Sequence, residues 1–342
     1  MKNYFLSEQD LNNFITKLMD SYPVIAPVAK KSRFVFEELK SPEQLRLDYD
    51  TTILPPKKVF FPPKQDLLTF DQGSLEDCID PREKVLLGVH PYDIKAISFT
   101  DQLFSENHYD NNYMANRKST IIIGSNVQNH YAHAFFGTQA QGVKLQGHDL
   151  FMTKIDGGYV VEVLTDKGEK LIKLGNFKNA EETQITKAAE VNRQADENCP
   201  EKLKYSETEI KEKVRAAFES DIWEELSKRC FSCSSCNIVC PTCYCFDVQD
   251  QWNIDQKSGF RFRRWDGCLS IDFSEVSVQG GTENFRETPA SRYRHRAMRK
   301  LVYLNDKLGS PLCVGCGRCS GACTADIANP VNIVNRVMEV EA

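Results

Sequence analysis

Eleven of the chain's 13 cysteines fall between Cys230 and Cys323, and their spacing is that of a ligand set. Cys230-x-x-Cys233-x-x-Cys236-x-x-x-Cys240-Pro241 is followed, 83 residues after Cys230, by Cys313-x-x-Cys316-x-x-Cys319-x-x-x-Cys323. Three thiolates so close in sequence can wrap three corners of a cubane, and the fourth, one helical turn further on, points to a different one. The spacing therefore predicts two 4Fe-4S clusters with crossed ligation. One is assigned to Cys230, Cys233, Cys236 and Cys323, the other to Cys313, Cys316, Cys319 and Cys240. Structural zinc is the competing reading, but it needs four ligands from two Cys-x-x-Cys hooks, and a doubled four-cysteine run oversupplies it. Thr324 stands where a proline is expected after the second run. Proline there shapes a turn and is no ligand, so the cluster is still expected. Gly315, Gly317, Ser320 and Gly321 keep the second loop small. Backbone N–H groups can then reach the sulfurs, and the loop is expected to cover its cluster thinly.

Cys243, Cys245 and Cys268 are left over, in Pro241-Thr242-Cys243-Tyr244-Cys245 and Trp265-Asp266-Gly267-Cys268. They read either as a third iron–sulfur centre, with Asp266 as an oxygen ligand, or as reduced thiols buried beside the clusters. Cys78 and Cys199 are remote and read as inert. Arg261, Arg263, Arg264, Arg292, Arg294, Arg296 and Arg299 flank the motifs. They read either as a solvated basic face for an acidic partner or as counter-charges to the anionic clusters, the solvated face being favoured. No catalytic residue is indicated. The chain has no G-x-G-x-x-G after a strand, no Walker A run and no H-E-x-x-H. Its six histidines lack ligand spacing, and the nearest approach, His130-Tyr131-Ala132-His133, reads as an exposed loop.

The elements that must position these cysteines follow from periodicity. Ser7 and Asp10 open a helix over about residues 8–20, carried by Leu11, Phe14, Ile15 and Leu18. Residues 24–29 and 34–36 read as short strands, and residues 85–90 and 120–124 as buried strands with a helix over 93–104 between them. Residues 149–155 and 159–164 flank Asp156-Gly157-Gly158 as a hairpin. Val59-Phe60-Phe61, bracketed by proline pairs, reads as an edge strand or extended arm. The fold class is α+β. A mixed α/β scaffold domain over 1–180 leads through a charged helical linker over 181–229 to a mainly helical, two-cluster ferredoxin-like domain over 230–342. At 342 residues, 41% hydrophobic and 27% charged, the composition is that of a soluble globular chain. A net charge of −5 is no platform for nucleic acid. No apolar run reaches the ~20 residues of a membrane span, and the N-terminus shows no signal peptide. A reducing, cytoplasmic location is expected, where cysteines serve as ligands and not disulfides.

Longer stretches carry a family resemblance: Ile53-Leu54-Pro55-Pro56-Lys57-Lys58, Gly88-Val89-His90-Pro91-Tyr92-Asp93-Ile94, residues 240–250 from Cys240-Pro241-Thr242 to Asp250, residues 263–268, and Cys313-Val314-Gly315-Cys316-Gly317-Arg318-Cys319. The chain resembles the β subunit of soluble nickel–iron sulfhydrogenases and the related iron–sulfur subunit of anaerobic sulfite reductase. The resemblance implies an electron-transfer subunit that binds 4Fe-4S clusters and no flavin. It would stand between a flavin subunit that oxidises NAD(P)H and a catalytic subunit of hydrogenase, sulfite reductase or heterodisulfide reductase type. Tyr92, and Gly124 to His130, stand where relatives often carry cysteine, so any N-terminal cluster of relatives is expected to be absent. Gly280-Gly281-Thr282-Glu283-Asn284 also departs from the family's Gly-Gly-His-Asn. A free-standing ferredoxin-like carrier and a zinc-stabilised assembly protein are the alternatives.

Overall fold

The computed structural model describes residues 2–340. In chain order its strands are β1 (Lys2–Ser7), β2 (Val24–Lys30), β3 (Arg33–Glu38), β4 (Lys64–Asp71), β5 (Ser74–Asp77), β6 (Lys84–Val89), β7 (Thr120–Ser125), β8 (Leu150–Ile155), β9 (Gly158–Val163), β10 (Lys178–Asn179), β11 (Phe246–Trp252), β12 (Ser258–Trp265), β13 (Glu275–Val278) and β14 (Gly281–Asn284). The helices are α1 (Glu8–Ser21), α2 (Pro91–Ser105), α3 (Asn111–Lys118), α4 (Asp166–Ile172), α5 (Glu182–Glu197), α6 (Glu207–Ala216), α7 (Ile222–Ser227), α8 (Ser235–Ile238), α9 (Pro289–Met298), α10 (Leu304–Leu308), α11 (Arg318–Ala322) and α12 (Pro330–Met338). No described helix is long and apolar enough to cross a membrane.

Two compact units form, and neither is one continuous stretch. The first comprises the described residues of Met1–Phe60, Pro81–Ala132 and Lys144–Pro200, the second those of Phe61–Asp80, His133–Val143 and Glu201–Ala342. This departs from the linear order read from the sequence. In particular, residues 181–229 divide: α5 packs Ala188 with Ile155 and Val160 of the first unit, while Ile210, Val214 and Trp223 of α6 and α7 enter the core of the second.

The first unit is built on a mixed eight-stranded sheet in the order β10-β1-β9-β8-β7-β6-β2-β3. β2, β6, β7 and β8 run parallel at its centre. The apolar runs Val85-Leu86-Leu87 and Ile121-Ile122-Ile123 are buried there, as central strands covered on both faces require. The side chain of Ser7 caps α1 at the backbone N–H of Asp10, and Phe14, Ile15 and Leu18 of that helix lie in the core. The 149–164 hairpin forms as β8 and β9. The Tyr92 hydroxyl lies 2.7 Å from His90 Nδ1, whose ring stacks on Tyr49 at 3.9 Å.

The mixed α and β content agrees with the class read from the sequence, but the second unit is less helical than expected. β11, β12, β4 and β5 form a four-stranded antiparallel sheet in that order. Its register pairs Arg263 with Val248 on one side and Gln65 on the other. The Val59-Phe60-Phe61 segment also differs from expectation. It is no strand: Pro56–Val59 is a 3-10 turn, and both following phenylalanines are buried. Phe60 packs edge-on to Tyr113 within the first unit, and Phe61 against Trp265 and Phe246 within the second. Two aromatic anchors, one for each unit, win over the extended geometry that the prolines favour.

Candidate metal centre

Both cysteine runs fold into loops with the same backbone twist. Ser232 and Ser234 in the first, and Gly315 and Gly317 in the second, take left-handed φ values of 54°, 57°, 71° and 74°. These are equivalent positions, two and four residues after Cys230 and Cys313. Serine pays a steric penalty in this region of roughly 1–2 kcal/mol, so its use twice points to a backbone shape that is required. The twist turns backbone N–H groups inward. Ser232 N donates to Cys230 Sγ at 3.4 Å, and the Gly315 N–H donates equivalently to Cys313. Ile327 N likewise donates to Cys323 Sγ at 3.5 Å. The short helices α8 and α11 then carry Cys236 and Cys319.

The eight motif cysteines converge on two cavities. One is lined by Cys230, Cys233, Cys236 and Cys323. The other is lined by Cys240, Cys313, Cys316 and Cys319. Each cavity thus takes three cysteines from one run and the last cysteine of the other. Tyr293 lines both. Cys236, Cys316 and Cys319 are buried, and Cys233 is exposed beside Phe231, which is 72% exposed. Burial pushes the Cys236 and Cys313 thiols up to about 12 and raises Cys319, whereas the Ser235 hydroxyl lowers Cys233.

The glycines of the second loop do not leave it thinly covered. A Cβ on Gly317 would lie 2.4 Å from the His133 carbonyl oxygen, and one on Gly315 would lie 2.6 Å from the backbone of Phe136. The segment His133–Val143 is a strap lying against the loop, fastened where Phe135 N donates to Gly315 O at 2.8 Å. Every residue from Val314 to Ser320 is buried. The glycines are there to let two main chains touch.

Of the seven arginines, three lie on β12. Arg261 and Arg264 pair with Asp250 and Asp247, while Arg263 is buried with its guanidinium on Gln65 Oε1 at 2.6 Å. Arg292 is buried, with Nη2 on Ser232 Oγ at 3.0 Å and Nη1 on the carbonyls of Arg286 and Glu287. Arg294 stacks over Phe218 at 4.0 Å and reaches Glu219. Arg299 donates to the Tyr244 hydroxyl. Arg296 lines the second cavity, and so does Lys300, which sequence reasoning overlooked; both are buried. Burial opposes their charge, yet the adjoining cysteine sulfurs, Cys236 and Cys319 for Arg296 and Cys240 and Cys243 for Lys300, hold both above their ordinary range. The signal for Lys300 was its place one turn after Arg296, on the face turned to the cysteines. The helix is locally wound as a π turn at Arg299–Tyr303, a distortion that often marks a functional position.

Cys243 and Cys268 meet at Asn237, whose amide Nδ2 lies 3.7 Å from the first sulfur and 3.0 Å from the second. The carbonyl of Cys245 accepts from Asp266 N at 3.1 Å. Among the described residues no three His, Cys, Asp or Glu side chains close around a point as a single metal ion needs. Cys78 and Cys199 lie outside both cavities. His130 Nε2 meets Ala195 O at 2.7 Å and His133 Nδ1 meets Glu201 at 3.0 Å, so the two rings serve separate local contacts.

The donor set fits two polynuclear, anionic groups. Each cavity offers four sulfurs and backbone N–H groups that donate to them. The Nε of buried Arg296 has no protein acceptor, a donor that an anionic group in the second cavity would satisfy. A family model described as a 4Fe-4S dicluster domain matches residues 229–327. The chain is also 31% identical over 353 residues to the sulfhydrogenase 2 subunit beta of Pyrococcus furiosus, and the alignment covers 99% of each chain. No solved structure matches it.

Proposed function

Because the chain belongs to the family of sulfhydrogenase β subunits, iron–sulfur electron-transfer subunits, we propose that it carries two 4Fe-4S clusters and relays electrons within a multi-subunit oxidoreductase. Cys230, Cys233, Cys236 and Cys323 would hold one cluster, and Cys240, Cys313, Cys316 and Cys319 the other. The observation that carries this reading is the crossed lining of the two cavities. When bound, each cluster supplies a one-electron carrier that the side chains alone lack. The chain's own part is to hold the thiolates, donate N–H groups to their sulfurs, and keep water out with the core around Tyr293, Met298 and Val334. Arg296 and Lys300 offset the negative charge gathered there.

The proposed partners are an NAD(P)H-oxidising flavin subunit, which supplies electrons, and a catalytic oxidoreductase subunit, which spends them. The exposed Cys233 and Phe231 mark where a redox partner can approach the first cavity. Anaerobic analysis should find about eight iron and eight acid-labile sulfide per chain. About four iron, or one stoichiometric zinc, would reject the two-cluster reading. About twelve would add a third centre on Cys243, Cys245 and Cys268.

A further inference from the structure

Lys300 sits deep in the second unit with its ammonium 2.8 Å from the Thr242 hydroxyl oxygen. That oxygen in turn lies 3.4 Å from Cys240 Sγ. An ammonium has no lone pair, so in the first contact Lys300 is the donor and Thr242 the acceptor. The threonine proton is then free to point at the sulfur. Thr242 is 1% exposed and Lys300 8%, so water does not compete for either contact. Arg296, one helical turn before Lys300, lines the same cavity, and its charge acts on Cys319 and also on Cys236 of the other cavity. Two cations thus line this cavity, and Lys300 reaches one of its four cysteines through a hydroxyl. Among the described residues, no lysine or arginine lines the cavity of Cys230, Cys233, Cys236 and Cys323.

A buried ammonium without a carboxylate partner is costly in a merely structural role. Here it faces sulfurs, and it gains most when their group carries most negative charge. A one-electron reduction adds one negative charge. Positive charge and hydrogen bonds to sulfur favour the reduced state and raise its potential.

We propose that Lys300, acting through Thr242 on Cys240, sets the reduction potential of the group held by Cys240, Cys313, Cys316 and Cys319, making it easier to reduce. This rests on the two-cluster reading above. Lys300 is a positioning and charge-setting residue, and the electron itself comes from the redox partner.

The test is a potentiometric titration of the full chain, followed by electron paramagnetic resonance. The two components are assigned by which one disappears in Cys316→Ser. Lys300→Met should lower the potential of the component lost in Cys316→Ser, by at least about tenfold in its reduction equilibrium, or 59 mV for one electron. Lys300→Arg should restore most of the shift. Thr242→Val, which keeps the shape and removes the hydroxyl, should shift the same component in the same direction by less. The other component serves as an internal control. An unchanged potential in Lys300→Met, or equal movement of both components, overturns the proposal. If Lys300→Met assembles poorly, Thr242→Val decides, and an unchanged potential there overturns the relay. Iron content is read separately, so a chain that never holds two clusters refutes the function and not the role of Lys300.

Discussion

Replacing Gly317 by alanine asks the second cysteine loop to accept one methyl group where no room exists. Gly317 has a φ of 74°, and a Cβ there would lie 2.4 Å from the carbonyl oxygen and 2.5 Å from the carbonyl carbon of His133. Gly309 supplies the control within the same unit. Its φ is 71°, and a Cβ there would meet nothing within 4 Å. Gly309→Ala therefore carries the left-handed backbone penalty alone, about 1–2 kcal/mol. Gly317→Ala carries that and an overpacking cost of about 1–3 kcal/mol, because the obstacle is main chain and cannot rotate away. Taking about 2 kcal/mol for the difference, the loop of Gly317→Ala should open roughly 30-fold more often than that of Gly309→Ala. The assay is anaerobic release of iron to an excess of chelator, run below the temperature of global unfolding. Release should be roughly 30-fold faster in Gly317→Ala. Equal release rates in the two variants would refute the claim that the 133–143 strap is what holds the loop shut.

Two further outcomes follow from the geometry. Cys240→Ser should remove the same spectroscopic component as Cys313→Ser and leave the component of Cys230→Ser, since Cys240 lines the cavity of the second run; loss of the Cys230 component would overturn the crossed assignment. His148, in the first unit, is pushed down to about 4 by burial, with Arg117 adding to the shift and Asp149 opposing it. The unfolded state therefore binds the proton first, so stability should be full above about pH 6.5, fall as pH drops below that, and level off below about 4. His148→Leu should flatten this limb in denaturant titrations of the holoprotein, and an unaltered pH profile would count against it.

The chemistry was legible because it is local. A Cys-x-x-Cys-x-x-Cys-x-x-x-Cys run fixes which sulfurs can meet within a few residues, and apolar strands such as Ile121-Ile122-Ile123 announce burial by composition alone. The α1 cap at Ser7 is equally local. What escaped was long-range. β4 carries Leu67, Leu68 and Phe70 in a broken alternation that never reads as a strand, and its partner β12 lies almost two hundred residues away. The strap at His133–Val143 has no periodicity and is defined by what it touches. Its presence reverses the meaning of Gly315 and Gly317, which read as openness in the sequence and are close contact in the fold. Lys300 was passed over because a lysine in a helix is ordinarily solvated, and only packing reveals it as buried.

The division of the chain into two interleaved units sets conditions on how it can be made. The backbone passes from one unit to the other five times, after Phe60, Asp80, Ala132, Val143 and Pro200. A single cut after Pro200 keeps every segment of the first unit but strands two segments of the second on it, and no single cut yields the second unit whole. During synthesis the first unit has all its strands once Asn179 has emerged, and α5 completes it by Pro200. The second must wait. β4 and β5 can pair with each other early, but β4's second partner, β12, and the Cys313 loop on which the strap lies leave the ribosome much later. Until then Phe61, Phe70 and Phe135 have no core to enter. That interval is a time of exposed apolar surface, when the nascent chain is most in need of a chaperone.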